Sequence, residues 1–335
     1  MSLTQKLIND GNAAVHEMLV GIMAAHPEYL WRPDNAPRAV VAKNGPRAGK
    51  VALVIGGGSG HEPTFLGYVG KGLADAAAIG NVFASPPPQP AVDAAIAASG
   101  GAGVLFMYGN YAGDVMNFDM AAELLEVEGI EARTVLTTDD IASAPRDQRQ
   151  KRRGVAGNVF IFKCAGAAAD MMMPLDEVER LARHANDRTF TMGVALSSCS
   201  LPQTRKPSFD LPVGEMEIGM GIHGEPGVRR GPLRSANEVA DEIMDAILAE
   251  MAAPAGARVA VLVNSLGATP LMELYILNAR IAERLKAAGL AVHKTLVGPY
   301  CTSLDMAGAS ITIMHLDDEL QRMIDHPCDC AMFRS

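Results

Sequence analysis

Two histidines in this chain are framed by glycine. The stretch Gly219-Met220-Gly221-Ile222-His223-Gly224-Glu225-Pro226-Gly227 sets one imidazole among four glycines, with a proline to stiffen the exit. Glycine carries no Cβ, so backbone and ligand approach such a ring closely. A histidine so placed is presented to something small rather than packed into a core. Gly56-Gly57-Gly58-Ser59-Gly60-His61-Glu62-Pro63 repeats the pattern early in the chain. Two such histidines far apart in sequence predict one site built from two segments. Asp114 supplies a carboxylate in Gly109-Asn110-Tyr111-Ala112-Gly113-Asp114, after an apolar run and at the start of a helical one. It can serve as general base toward a hydroxyl, or cap the helix, a role aspartate favours for backbone reasons alone. Ser85, in Phe83-Ala84-Ser85-Pro86, offers a hydroxyl ligand or simple turn chemistry.

Other chemistries fit poorly. A dinucleotide fingerprint needs Gly-x-Gly-x-x-Gly, and His61 stands where its last glycine should be. No Gly-Lys-Ser/Thr ending makes a P-loop, so the chain has no recognisable nucleotide site of its own. The glycine run reads instead as a turn opening a helix, whose N–H groups can bind anions or hydroxyls. His326-Pro327-Cys328-Asp329-Cys330 has no second ligand pair nearby and reads as a polar chain end, so no metal is expected. The basic run Arg146, Arg149, Lys151, Arg152 and Arg153 reads as a solvated loop, or as a landing patch for a phosphate-bearing partner. Asn264 to Pro270 is either a second ligand loop or a contact between domains.

The elements that must position these residues follow from pattern. Val51 to Ile55, Gly103 to Tyr108 and Arg133 to Leu136 are apolar strands. Helical stretches lie between them: one starting at Pro63, one over 91–98 and one over 116–127. This alternation predicts an α/β fold whose sheet is mostly parallel with helices on both faces. Its ligands should sit beyond the carboxyl ends of the strands. Helices near 155–170 and 175–185 close a first domain, 1–187. A second α/β domain, 188–335, has strands over 190–196, 215–221, 258–263, 291–297 and 310–314. Its helices run over 236–250, capped by Ser235, from Thr269-Pro270 to 288, and over 317–324.

Composition agrees. The 335 residues suit two domains. Hydrophobic residues make up 49% and charged residues 20%, which is ordinary for a globular chain. A net charge of −9 argues against nucleic acid and anionic membrane as partners. No apolar run approaches the roughly 20 residues that span a bilayer. The first residues lack a signal segment, and five cysteines form no Cys-x-x-Cys, so a cytoplasmic chain is expected.

Taken together, the segments resemble the dihydroxyacetone kinase family, in its substrate-binding subunit. The matching stretches are Lys6 to Asp10, Gly56 to Pro63, Asn110 to Asp114 with Asn117-Phe118, Gly219 to Gly227, Asn264 to Pro270 with Glu273-Leu274-Tyr275, and Tyr300 to Met306. They run from end to end of the chain. The resemblance implies a homodimer and covalent capture of a ketone: the residue matching His223 adds through a ring nitrogen to the ketone carbon, giving a hemiaminal. Asp114 matches the residue that draws a proton from the terminal hydroxyl. His61 matches the one that hydrogen-bonds the tethered substrate. Gly57, Gly58 and Ser85 match ligand-contact positions. The family keeps its nucleotide elsewhere, so this chain is expected to bind none. A separate subunit would hold either ATP with Mg²⁺ or a tightly bound ADP recharged by a phosphotransferase-system phosphocarrier.

One position departs from the family. Many members have lysine immediately before Asn-Tyr-x-Gly-Asp, where this chain has Gly109. The loss of that cation should open the pocket and favour a larger ketose, such as erythrulose, over dihydroxyacetone. The alternative within the family is a non-catalytic ketone-sensing coactivator. Retention of Asp114 and both histidines favours a kinase subunit.

Overall fold

Apolar runs broken by glycine and proline set the order of elements. The computed structural model describes residues 3–335. Helix α1 (Ala14–Ala25) precedes β1 (Leu30–Trp31), β2 (Ala39–Ala42), β3 (Ala52–Ser59), β4 (Gly70–Lys71) and β5 (Ala76–Val82). Then come α2 (Pro88–Ala98), β6 (Val104–Gly109), α3 (Ala112–Val127), β7 (Ala132–Thr137), α4 (Asn158–Asp170) and α5 (Leu175–Asp187). The second half holds β8 (Thr189–Ala195), β9 (Glu215–Ile218), β10 (Arg229–Pro232), α6 (Ala236–Met251), β11 (Arg258–Ser265) and α7 (Leu271–Ala287). It ends with β12 (Ala291–Gly298), β13 (Gly308–Leu316), α8 (Asp318–Asp325) and β14 (Asp329–Cys330).

The chain forms two α/β units. One comprises residues 8–137, 158–185 and 319–335. Its main sheet has the order β1-β2-β5-β3-β6-β7. The run from β5 to β7 is parallel, and β2 and β1 extend it antiparallel at one edge. Period-two alternation buries both faces. Val54, Ala78, Phe106 and Tyr108 share a core with α2 and α3, where Phe118 stacks on Tyr108 at 4.3 Å between ring centroids. Leu53, Ile55, Leu105 and Met107, of the opposite parity, are also fully buried, and α4 packs on β3 and β6.

The other unit comprises residues 3–7, 138–157 and 186–318. Its sheet, β10-β9-β8-β13-β11-β12, is antiparallel except for the β11–β12 pair. Helices α6 and α7 share one core with it, including Val194, Ile243, Val261, Leu274 and Ile311. The α6 start is a capping box. The Ser235 main-chain N–H donates to Glu238 Oε2 at 3.0 Å, and the Glu238 N–H donates to Ser235 Oγ at 3.4 Å.

This division differs from a single boundary at 187. Residues 138–157 belong with the later segment because Asp139 ties them there. Its carboxylate accepts from the N–H groups of Val155 and Gly157, and its carbonyl accepts from Thr191 N–H. Residues 319–335 belong with the early segment. There β14 pairs with β4, and the buried Lys163 ammonium donates to the carbonyls of Met323 and His326. The tail is therefore no polar chain end: Cys328 and Cys330 are both buried. The expected helix from Pro63 is also absent. That stretch is turn, with a short 3₁₀ segment at Leu66–Tyr68.

Candidate functional site

In a parallel sheet, neighbouring strands release their chains on the same edge. Strands β5, β3 and β6 lie side by side, and each delivers a candidate segment there. The glycines Gly56, Gly57 and Gly58 are strand residues of β3 rather than a turn. No helix opens directly after them, so the expected anion-binding helix N-terminus is not formed. Their bareness has a packing cause. A Cβ on Gly58 would lie 2.8 Å from the backbone nitrogen of Ala84 and 3.1 Å from Phe83 Cα. The segment after β5 thus lies directly against β3.

That close approach organises the candidate residues of this unit. Phe83, held at φ 54°, stacks its ring on the imidazole of His61 at 5.0 Å and 17°. His61 itself is buried, 3% exposed. Two residues further on, Ser85 Oγ accepts a hydrogen bond from Asn117 Nδ2 at 3.1 Å, and Asn117 also donates to the Pro86 carbonyl at 2.8 Å. Asn117 belongs to α3, so the segment after β5 is latched to the helix that carries Asp114. Gly109 ends β6, paired with Thr137 of β7. Asp114 is not the cap of α3. Tyr111 holds that place without a side-chain hydrogen bond, and Asp114 lies in the first turn, 9% exposed.

His223 lies in the other unit, on the hairpin loop 219–228 between β9 and β10. The loop is pinned at several points. Gly219 N–H donates to Gly193 O at 2.7 Å, Gly227 N–H to Glu217 Oε1 at 2.7 Å, and Ser303 Oγ to Ile222 O at 2.5 Å. The imidazole Nδ1 lies 2.9 Å from Glu225 Oε1. Arg153 Nη1 lies 3.8 Å from Glu225 Oε2. Burial alone would raise the Glu225 carboxyl. The hydrogen bond to His223, with the charges of His223 and Arg153, overrides burial and brings it down to about 2. The glycines of this loop admit the protein's own groups. A Cβ on Gly221 would meet Glu225 Oε2 at 2.1 Å, and Gly224, at φ 87°, has the Phe209 ring 2.6 Å from where its Cβ would be.

Neither Glu225 nor Arg153 is among the residues expected at the site. Glu225 was visible, two residues beyond His223 in the same glycine stretch. Arg153 was hidden in the basic run, which is neither a solvated loop nor a phosphate patch at its C-terminal end. Arg152 is 1% exposed and pairs with Glu250 at 3.1 Å, while Arg153 pairs with Asp140 at 2.8 Å. Arg149 lies over the Phe190 ring at 5.5 Å. Among the described residues no group of His, Cys, Asp and Glu could hold a metal ion.

Residues 20–332 match the Dak1 domain family. The dihydroxyacetone-binding subunit of the PTS-dependent dihydroxyacetone kinase 2 of Listeria innocua is 51% identical, over 98% of this chain and 99% of that protein. The D-erythrulose kinase of Mycolicibacterium smegmatis is 45% identical over 98% of this chain, which spans only 56% of that longer protein. The crystal structure of the dihydroxyacetone kinase of C. freundii superposes with a TM-score of 0.90 at 33% identity, covering 99% of this chain and 61% of that one. By family model, identity and fold, the chain belongs to the dihydroxyacetone kinase family, with its substrate-binding subunits.

Proposed function

We propose that this chain captures a short-chain ketose on His223 and presents a terminal hydroxyl of that ketose for phosphorylation. The observation that carries the reading is the pinned hairpin loop, which offers an oriented imidazole beside an ionised carboxylate. The His223 ring nitrogen adds to the ketone carbon and forms a hemiaminal. A covalent tether suits a ligand with too few atoms for tight non-covalent binding, and it rejects polyols that lack a carbonyl. Asp114 draws the proton from the hydroxyl as it attacks phosphorus, and His61, backed by Phe83, hydrogen-bonds the tethered substrate. Gly57, Gly58, Ser85 and Gly109 contact the ligand. Transfer then depends on alignment and charge stabilisation.

The phosphoryl donor is a second subunit that holds ATP with Mg²⁺, or an ADP recharged by a phosphotransferase-system phosphocarrier. Two copies of this chain form a homodimer. Leu271, Met272, Tyr275 and Ile276 expose an apolar face of α7 that a second copy would bury.

Native mass spectrometry without reducing agent tests capture and assembly together. The expected result is a dimer that gains one ketose per subunit with dihydroxyacetone or erythrulose, none with glycerol, and none in His223→Ala. An adduct that survives His223→Ala would reject the reading. Tighter capture of erythrulose than of dihydroxyacetone is expected from Gly109, and the reverse order would reject the tetrulose preference. Capture without phosphate transfer, in the presence of a nucleotide-binding subunit, would instead mark a ketone sensor.

A further inference from the structure

The loop that carries His223 also carries a carboxylate that capture does not consume. Glu225 grips the same residue twice: Oε1 lies 2.9 Å from His223 Nδ1, and Oε2 accepts the His223 main-chain N–H at 3.0 Å. Behind it stands Arg153, whose own place is fixed. Its Nε donates to Asp140 Oδ2 at 2.9 Å and its Nη2 to the Gly219 carbonyl at 3.3 Å. Gly221 leaves room for the carboxylate where any larger residue would displace it. An ionised carboxylate only accepts hydrogen bonds, so a neutral imidazole facing it must carry its proton on Nδ1. The lone pair then resides on Nε2.

We infer that Glu225, braced by Arg153 and Asp140, is the positioning residue of capture. It pins the His223 ring in one tautomer and faces the positive charge that the ring gains on addition. The inference rests on the capture reading above. In the step, the Nε2 lone pair forms the bond to the ketone carbon. The carbonyl π pair moves to oxygen, which takes a proton from water. The ring keeps its Nδ1–H and becomes a cation against Glu225, so each adduct takes up one proton, and nothing is oxidised or reduced. Arg153 opposes transfer of the Nδ1 proton to the carboxylate, which keeps Glu225 an orienting group rather than a base.

Long-range ¹H–¹⁵N spectra of protein labelled in its histidine rings test this in alkaline buffer without ligand. The expected wild-type spectrum shows His223 protonated on Nδ1 and bare on Nε2. Glu225→Gln should give mixed tautomers and slow adduct formation with dihydroxyacetone at least tenfold, with partial rescue in Glu225→Asp. A wild-type ring protonated on Nε2 would overturn the inference, and that measurement needs no variant. An unchanged tautomer and rate in a folded Glu225→Gln would overturn it as well. The expected tautomers, in a wild type that binds no ketose, would uphold the positioning role while removing the capture reading.

Discussion

At the scale of single residues, the chain commits more to holding its candidate groups than their types alone suggest. His223 and Glu225 form a pair whose carboxyl is lowered from an ordinary 4.5 to about 2. A lowered folded value means the pair stabilises the fold above pH 4.5, and that contribution fades as pH falls toward 2. The difference in unfolding free energy between wild type and Glu225→Gln should therefore be largest near neutrality and shrink through that window. Urea titrations at a series of pH values read it directly; a difference that grows on acidification would contradict the pairing. His61, Asp114 and His223 were legible because glycine frames and a strand-to-helix junction mark them. Phe83, Asn117 and Arg153 were not, because ring stacking, a side-chain latch and a second-rank ion pair leave no periodic trace.

At the scale of elements, the parallel strands β3, β6 and β7 followed from alternating apolar strands and helices, while β5 was not read, and the α6 start announced itself by Ser235 as N-cap. The glycine run misled, because bareness has two causes. In a turn it supplies backbone freedom; in β3 it makes room for the segment after β5. Two substitutions separate these. Gly58→Ala should cost about 1–3 kcal/mol, since its new methyl meets backbone that cannot swing aside. Gly21→Ala, inside α1 with open space around it, should instead stabilise by about 0.5–1 kcal/mol. Thermal unfolding of the two variants gives opposite shifts if β3 is packed as described, and shifts of the same sign if it is not. The two-residue strands β1, β4 and β14 were beyond reach, because so short a pairing is decided by its partner and not by its own sequence.

At the scale of the whole molecule, two α/β units were legible from length and alternation, while the path of the chain between them was not. Among the described residues no helix is long and apolar enough to cross a membrane. The final segment is structural. It pairs Asp329 with Lys71, seats Phe333 against Tyr68 at 5.7 Å, and supplies carbonyls to the ammonium of Lys163. Removing residues 319–335 should destabilise the unit that holds His61 and Asp114 by at least ~3 kcal/mol, since Lys163 would lose these acceptors. Urea unfolding followed by tyrosine fluorescence would show it, and an unchanged midpoint would refute it. The interleaved path also bears on synthesis. A ribosome that has delivered residue 187 has finished neither unit, because the earlier one waits for β14 and the later one for β13. A chain with sequential domains can settle its first domain while the second is still being made. Here the nascent loops around His61 and Asp114 gain their last support only once residues 319–335 have left the exit tunnel.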